Sequence, residues 1–405
     1  MRKGEQDIFT FFLPTRILHG ANSLLEAGNA FKSLCASKAL VVTDQGVSNA
    51  GLLTGLIESL KKSQIPYSTF DNVEEDPTCE TVRKGSEFAV SEKCDGIVVL
   101  GGGSPICAGR AIGVIVTNGG NIEDYAGLNK AAKPPLPLIA IPTTAGSGSE
   151  VSQFIILKNK KTNTKFVAGS PLYFPKVAIL DPLLMRTLPY WQSVVSGIDA
   201  LTHAIEAYLT SLTTPITDAL ALSSVHYIYH NLRTAATTDD LEAKEACLIG
   251  STMANMACGN ARLGLIHGMT NPMEGMFKIS HGEAVGTLLP YVMEFNLPAS
   301  HSRYVNLARN MGHAENEGCS KRVASQAIDA VKELYSDLDF PRKYSDSVVN
   351  PNAISEMARM MMAGIYGQFE RKTDYAMNSI VPSANIRKAT IKDVMRLYEK
   401  AFKGW

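Results

Sequence analysis

Four short runs in the first half of the chain, Ala39–Thr43, Gly96–Leu100, Leu138–Pro142 and Val177–Leu180, are apolar at nearly every position, and each ends in small or turn-forming residues. A strand that is apolar on both faces must be covered on both faces. Helical patterns lie between the runs, so the first half predicts a parallel sheet with crossover helices. After about Pro189 the strand signals fade. Val194, Ile198, Leu201, Ile205 and Tyr208 recur at steps of four and three, the period of a helix with one apolar face. Further helical segments are expected around 216–234, 241–258, 283–295, 301–311, 321–337, 352–367 and 391–402. A chain of 405 residues exceeds what one core usually organises. The change of pattern puts the boundary near 185–190, giving an α/β domain over 1–188 and an all-helical domain over 189–405.

Charge excludes some partners: 39 basic residues balance 39 acidic ones. No basic stripe points to nucleic acid, and no like-charge block points to a tail. The seven cysteines (Cys35, Cys79, Cys94, Cys107, Cys247, Cys258 and Cys319) are scattered and never spaced C-x-x-C. Neither a zinc knuckle nor a disulfide framework fits that pattern; a reducing compartment does. The opening Met-Arg-Lys is followed by Glu5, Asp7, Pro14 and Arg16, which break any leader-like apolar stretch. No apolar run approaches the roughly 20 residues a membrane helix needs. A cytoplasmic protein without membrane contact is expected.

Three loops at the ends of predicted strands offer chemistry. The first carries Asp44 in Val-Val-Thr-Asp-Gln-Gly. A carboxylate there can accept hydrogen bonds from an adenosine ribose and repels a 2′-phosphate, favouring NAD over NADP; equally, it can be a helix-cap aspartate. The second is Gly101-Gly102-Gly103-Ser104-Pro105. Three glycines let backbone approach a pyrophosphate closely. Ser104 is read as the N-cap and Pro105 as the first helical residue, with the free N–H groups beyond them favouring an anion. The third is Thr143-Thr144-Ala145-Gly146-Ser147-Gly148-Ser149-Glu150, whose hydroxyls and glycines suit a phosphate or nicotinamide site or an ordinary surface loop. All three fall where open α/β sheets bind ligands.

In the helical half, Asp199 and His203 stand four apart, one turn on a shared helix face. That spacing suits two ligands of one metal. With Thr202 and Glu206 it also describes a solvated polar face. His267, in Leu-Gly-Leu-Ile-His-Gly-Met, and His281, in Lys-Ile-Ser-His-Gly-Glu, lie near helix ends of the same domain. Three imidazoles and one carboxylate suit Fe2+ or, alternatively, Zn2+ with a position left for substrate. His19, His226, His230, His301 and His313 have no comparable partners in sequence.

Taken in order, the glycine turn, Ile-Pro-Thr-Thr-Ala-Gly-Ser-Gly-Ser-Glu-Val, Gly-Ile-Asp-Ala-Leu-Thr-His-Ala-Ile-Glu and His-Gly-Met resemble the iron-containing (group III) alcohol dehydrogenases, nearly end to end. The resemblance implies a dinucleotide domain, a helical metal domain and a cleft between them. It implies that Asp199, His203, His267 and His281 bind iron. It places Asp44, the Gly101–Ser104 turn, Thr143, Thr144, Ser147 and Lys165 against NAD. It implies direct hydride transfer between nicotinamide and a metal-bound primary alcohol or diol, in a homodimer or larger assembly. A zinc polyol dehydrogenase of glycerol type is the rival activity, and a catalytically inactive metal- or nucleotide-binding relative the rival class.

Three positions depart from the family pattern. Cys107 and Arg110 stand where an aspartate and a lysine are usual, and Asn271 where many members carry a second histidine facing the cleft. Cys107, near a helix start, is a reactive thiol or a small buried residue. Asn271 is expected in the catalytic cleft, where an amide can bond a substrate but cannot shuttle a proton near neutral pH. Arg262 faces either the cleft, favouring an anionic aldehyde, or solvent.

Overall fold

The structure, a computed structural model, describes residues 8–160, 164–313, 320–345, 348–367 and 384–405. Met1–Asp7 and Cys319, which entered the reading of a leader and of cysteine usage, lie outside the described residues. The first half contains β1 (Arg16–His19), α1 (Ala27–Lys32), β2 (Ala39–Val42), α2 (Gln45–Asn49), α3 (Leu53–Lys62), β3 (Tyr67–Phe70), α4 (Cys79–Ser91), β4 (Gly96–Gly101), α5 (Gly103–Asn118), β5 (Gly127–Leu128), β6 (Leu138–Pro142), β7 (Phe154–Asn159), β8 (Thr164–Gly169) and β9 (Val177–Leu180).

Six of these strands form one parallel sheet in the order β1-β9-β6-β4-β2-β3. The four apolar runs are β2, β4, β6 and β9, the contiguous centre. In-register pairs such as Leu40 with Ile97, and Ile97 with Leu138, sort their side chains onto two faces. Leu40, Val42, Ile97, Val99 and Leu138 pack against Val82, Ile106 and Ile112 of α4 and α5. Val41, Val98, Leu100, Ile139 and Ile179 pack on Phe31, Leu56 and Leu60 of α1 and α3. The edge strands β1 and β3 are only partly buried and carry no continuous apolar run, which is why sequence pattern missed them. A second small sheet, β5-β8-β7, includes an antiparallel β7–β8 hairpin, a departure from the purely parallel expectation.

The chain runs from β2 outward to β3, then returns to place β4 on the other side of β2. The strand order therefore reverses between β2 and β4, the position where open α/β sheets leave a crevice at their carboxyl ends. The loops after β2 and β4 flank that crevice, and the loop after β6 lies beside them.

The second half is helical: α6 (Tyr190–Tyr208), α7 (Pro215–Thr237), α8 (Leu241–Ala261), α9 (Leu265–Met276), α10 (His281–Asn296), α11 (His301–Asn310), α12 (Lys321–Asp337), α13 (Ile354–Gly367) and α14 (Ile391–Lys403). Each expected helical segment is present. One was not expected: α9 contains Gly268, Pro272 and Gly275, residues that weaken a helical pattern. Helix α6 is buried on every side from Ser193 to Tyr208. No helix among the described residues is long and apolar enough to cross a membrane.

The glycine turn differs from expectation in its cap. Helix α5 starts at Gly103, so Gly102 is the N-cap, and Ser104 and Pro105 are its second and third residues. Gly102 leaves the first turn without a side-chain cap. Before it, Gly101 has φ +158°, and a Cβ there would come within 2.6 Å of Pro105 Cγ, part of a rigid ring. Gly101→Ala is expected to destabilise the protein by about 1–3 kcal/mol. A fall in the thermal unfolding midpoint checks this, and an unchanged midpoint contradicts it.

Candidate metal centre and adjoining groove

Helix α6 supplies Asp199 and His203, α9 supplies His267 from its first turn, and α10 begins at His281. Asp199 is 5% exposed, Thr202 0%, His203 7% and Glu206 4%. The solvated-face alternative for α6 is thereby excluded. One ligand atom from each of Asp199, His203, His267 and His281 lies within 4.8 Å of the others. His203 Nδ1, His267 Nε2 and His281 Nε2 stand 3.6, 3.8 and 3.6 Å from Asp199 Oδ1. Metal–ligand bonds of ~2.1 Å in tetrahedral array put ligand atoms ~3.4 Å apart, close to these spacings.

Asp199 Oδ1, His203 Nδ1 and His267 Nε2 are buried without a hydrogen-bond partner. A buried polar atom left unpaired costs about 1–3 kcal/mol. Three such atoms converging on one point fit a cation as their common partner.

Two buried carboxylates stand behind the imidazoles. Glu206 accepts from His267 Nδ1 at 2.7 Å and from the backbone N–H groups of Ile266 and His267 at 2.7 and 3.3 Å. It therefore orients the ring and satisfies the start of α9, which has no side-chain cap of its own. Glu274 accepts from His281 Nδ1 at 2.6 Å and from Lys165 Nζ at 2.6 Å. With Nδ1 donating in both histidines, Nε2 is the free nitrogen that faces Asp199.

Electrostatics follow from burial and proximity. Burial opposes ionisation of Asp199, but His203, His281 and His267 hold its carboxyl below the ordinary value. Burial pushes His203 down to about 3, only partly offset by Asp199. Burial also disfavours charge on His267, yet Asp199 and Glu206 raise it to about 9. Glu274, although buried, is held at about 2 by His281 and Lys165.

The cleft containing these residues continues into a second cavity beside the sheet, and the two share Glu75, Gly103, Ser104, Thr144 and Gln192 as walls. The far end carries Asp44, Gly102 and Thr143; the near end carries Ser147, Lys165, Asn271 and the four candidate ligands. Gly101 lines neither cavity. Asp44 caps α2 by accepting from Val47 N at 2.8 Å, so the cap role is present alongside its place in the groove. Asn271 lies one turn after His267 and lines the cleft.

The other departures resolve differently. Cys107 is 8% exposed and forms part of the groove wall. Arg110 is 1% exposed and donates to the carbonyls of Phe154 and Ser149, clamping the loop after β6. Arg262 faces neither cleft nor solvent. It is 5% exposed, its guanidinium donates to the Gly259 carbonyl, and burial lowers it to about 10. It lines neither cavity, so it offers no anion-binding group to the groove.

Sequence reasoning missed Glu274 and Asn255. Glu274 stands seven residues after His267, on the same face of a helix that the glycines and Pro272 concealed. Asn255, on α8, donates to the Ser147 carbonyl at 2.7 Å and thereby joins the helical half to the loop after β6. Glu206 had appeared only as part of a polar face. Glu206→Ala would leave two backbone N–H groups and a buried imidazole N–H unpaired. A loss of about 3–5 kcal/mol is expected, read as a lower denaturation midpoint; a midpoint within error of wild type contradicts the role.

The family model "Iron-containing alcohol dehydrogenase" matches residues 14–182, and "Fe-containing alcohol dehydrogenase family, C-terminal" matches 193–402. The chain is 35% identical over 398 residues to the 1,3-propanediol dehydrogenase of Citrobacter freundii, covering 98% of this chain and 99% of that one. It is 31% identical over 392 residues to the NAD-dependent methanol dehydrogenase of Bacillus methanolicus, covering 96% and 99%. Among solved structures, a 1,3-propanediol oxidoreductase superposes with a TM-score of 0.91 at 34% identity, covering 98% of this chain and all of that one. The chain belongs to the iron-containing alcohol dehydrogenase family.

Proposed function

We propose that this protein catalyses reversible NAD-linked oxidation of a short primary alcohol or diol at a divalent metal, Fe2+ in preference to Zn2+, held by Asp199, His203, His267 and His281. The observation that carries this reading is the convergence of three unpaired buried polar atoms at the end of a groove that reaches Asp44. When bound, the cation supplies polarisation of a substrate oxygen and the nicotinamide supplies or accepts hydride.

The chain's own residues do the rest. Asp44 accepts from the adenosine ribose and, with Glu75 on the same wall, repels a 2′-phosphate. The first turn of α5, uncapped by any side chain, donates backbone N–H groups to the pyrophosphate. Thr144 and Ser147 flank the nicotinamide end, with Lys165 beside them, and Thr143 lines the dinucleotide path nearer Asp44. Asn271 hydrogen-bonds the substrate, and the proton leaves by another route. A homodimer or larger assembly and a cytoplasmic setting belong to the same proposal.

The test is an assay of metal-stripped and reconstituted protein over short alcohols, diols and charged aldehydes, with NAD and NADP side by side. Stripping should abolish activity, Fe2+ should restore it better than Zn2+, and kcat/KM should favour NAD by at least about tenfold. Absence of nicotinamide reduction with every alcohol after reconstitution overturns the reading. Asn271→His places a group that titrates near pH ~6.5 in the cleft. The pH profile of kcat should gain an ionisation in that region, and superimposable profiles refute the assignment of Asn271 to the reacting end.

A further inference from the structure

Two carboxylates stand behind the imidazoles, but they are built differently. Among the described residues, the hydrogen bonds of the Glu206 side chain lie within the helical half: His267 Nδ1 and the backbone N–H groups of Ile266 and His267. Glu274 joins the helical half to the α/β half. One oxygen, Oε1, accepts from His281 Nδ1 on α10, and the other, Oε2, accepts from Lys165 Nζ on β8, both at 2.6 Å. Lys165 Nζ donates in turn to Asp76 at 2.7 Å. Side-chain exposure is 2% for Glu274, 8% for Lys165 and 43% for Asp76. Glu274, Lys165 and Asp76 all line the groove.

We propose that Glu274 is a positioning residue that serves two sites at once, aiming His281 at the metal centre and holding the Lys165 ammonium at the cofactor side of the groove. The inference rests on the metal and NAD reading above. Its physical basis is the division of one carboxylate between two donors, one from each half of the chain. His281 exposes 40% of its side chain to the cleft, so packing alone does not hold its ring, and the hydrogen bond through Nδ1 orients it. Without Glu274, the half-exposed Asp76 is the partner that Lys165 retains among the described residues, and ion pairs with exposed partners hold geometry weakly.

The test compares wild type, Glu274→Ala, Glu274→Gln and Lys165→Met in two measurements. One is Co2+ affinity of the metal-stripped protein, followed by visible absorbance; the other is KM for NAD, set against kcat, in the metal-loaded protein. Glu274→Ala should lose about 10–100-fold in Co2+ affinity and raise the KM for NAD. Glu274→Gln separates the two roles. Its amide oxygen still accepts from His281, while its NH2 group faces an ammonium that it cannot pair. Co2+ affinity should therefore stay within about threefold of wild type while the KM for NAD rises as in Glu274→Ala. Lys165→Met should raise the KM for NAD alone. If Glu274→Ala matches wild type in both measurements, or if Glu274→Gln loses Co2+ affinity as fully as Glu274→Ala does, the inference fails. A wild type that takes up no Co2+ overturns the metal reading on which it rests.

Discussion

A carboxylate buried among three imidazoles is the arrangement that the rest of this structure serves. Asp199 sits on a helix enclosed on all sides, and burial alone would drive its carboxyl toward the neutral form. The surrounding imidazoles reverse that tendency. The ring orientations of His267 and His281 depend in turn on Glu206 and Glu274, which stand behind them. The centre is therefore a layered network in which each buried polar group has a reason to be ionised or unpaired, and the atoms left over converge on one point.

The α/β half contributes a groove rather than a reactive group. Reversal of strand order between β2 and β4 opens a crevice at the carboxyl ends of the central strands. Three loops meet there because their strands are neighbours in the sheet. Arg110 anchors the loop after β6 through two carbonyls, and Asn255 ties that same loop to α8. A residue that looked like a departure in cofactor chemistry is thus part of the scaffold that positions the groove beside the buried Asp–His cluster.

The features legible in the sequence were those with a local physical signature. Central strands read as continuous apolar runs because both faces are covered, and helices read by period. The edge strands, half exposed, had no such signature, and the β7–β8 hairpin was missed. Helix α9 was hidden because Gly268, Pro272 and Gly275 contradict the propensity that its packing overrides. Glu274 went unread with it. Arg262 shows the opposite limit: its charge suggested cleft or solvent, and it occupies neither, because a carbonyl at the end of α8 accepts from its guanidinium.

By itself the sequence determined the two-part architecture, the order of the Asp- and His-containing motifs and the family to which the chain belongs, because spacing and residue type along a chain carry that information directly. Only the tertiary structure decided that the polar face of α6 is buried. It also decided that His267 and His281 reach Asp199 from two other helices, that Glu274 bonds Lys165 of the other half, and that Arg262 stays out of the groove. Each of those depends on which surfaces meet when helices and strands pack, and contacts such as the one spanning 109 positions between Lys165 and Glu274 leave no periodic trace in the chain.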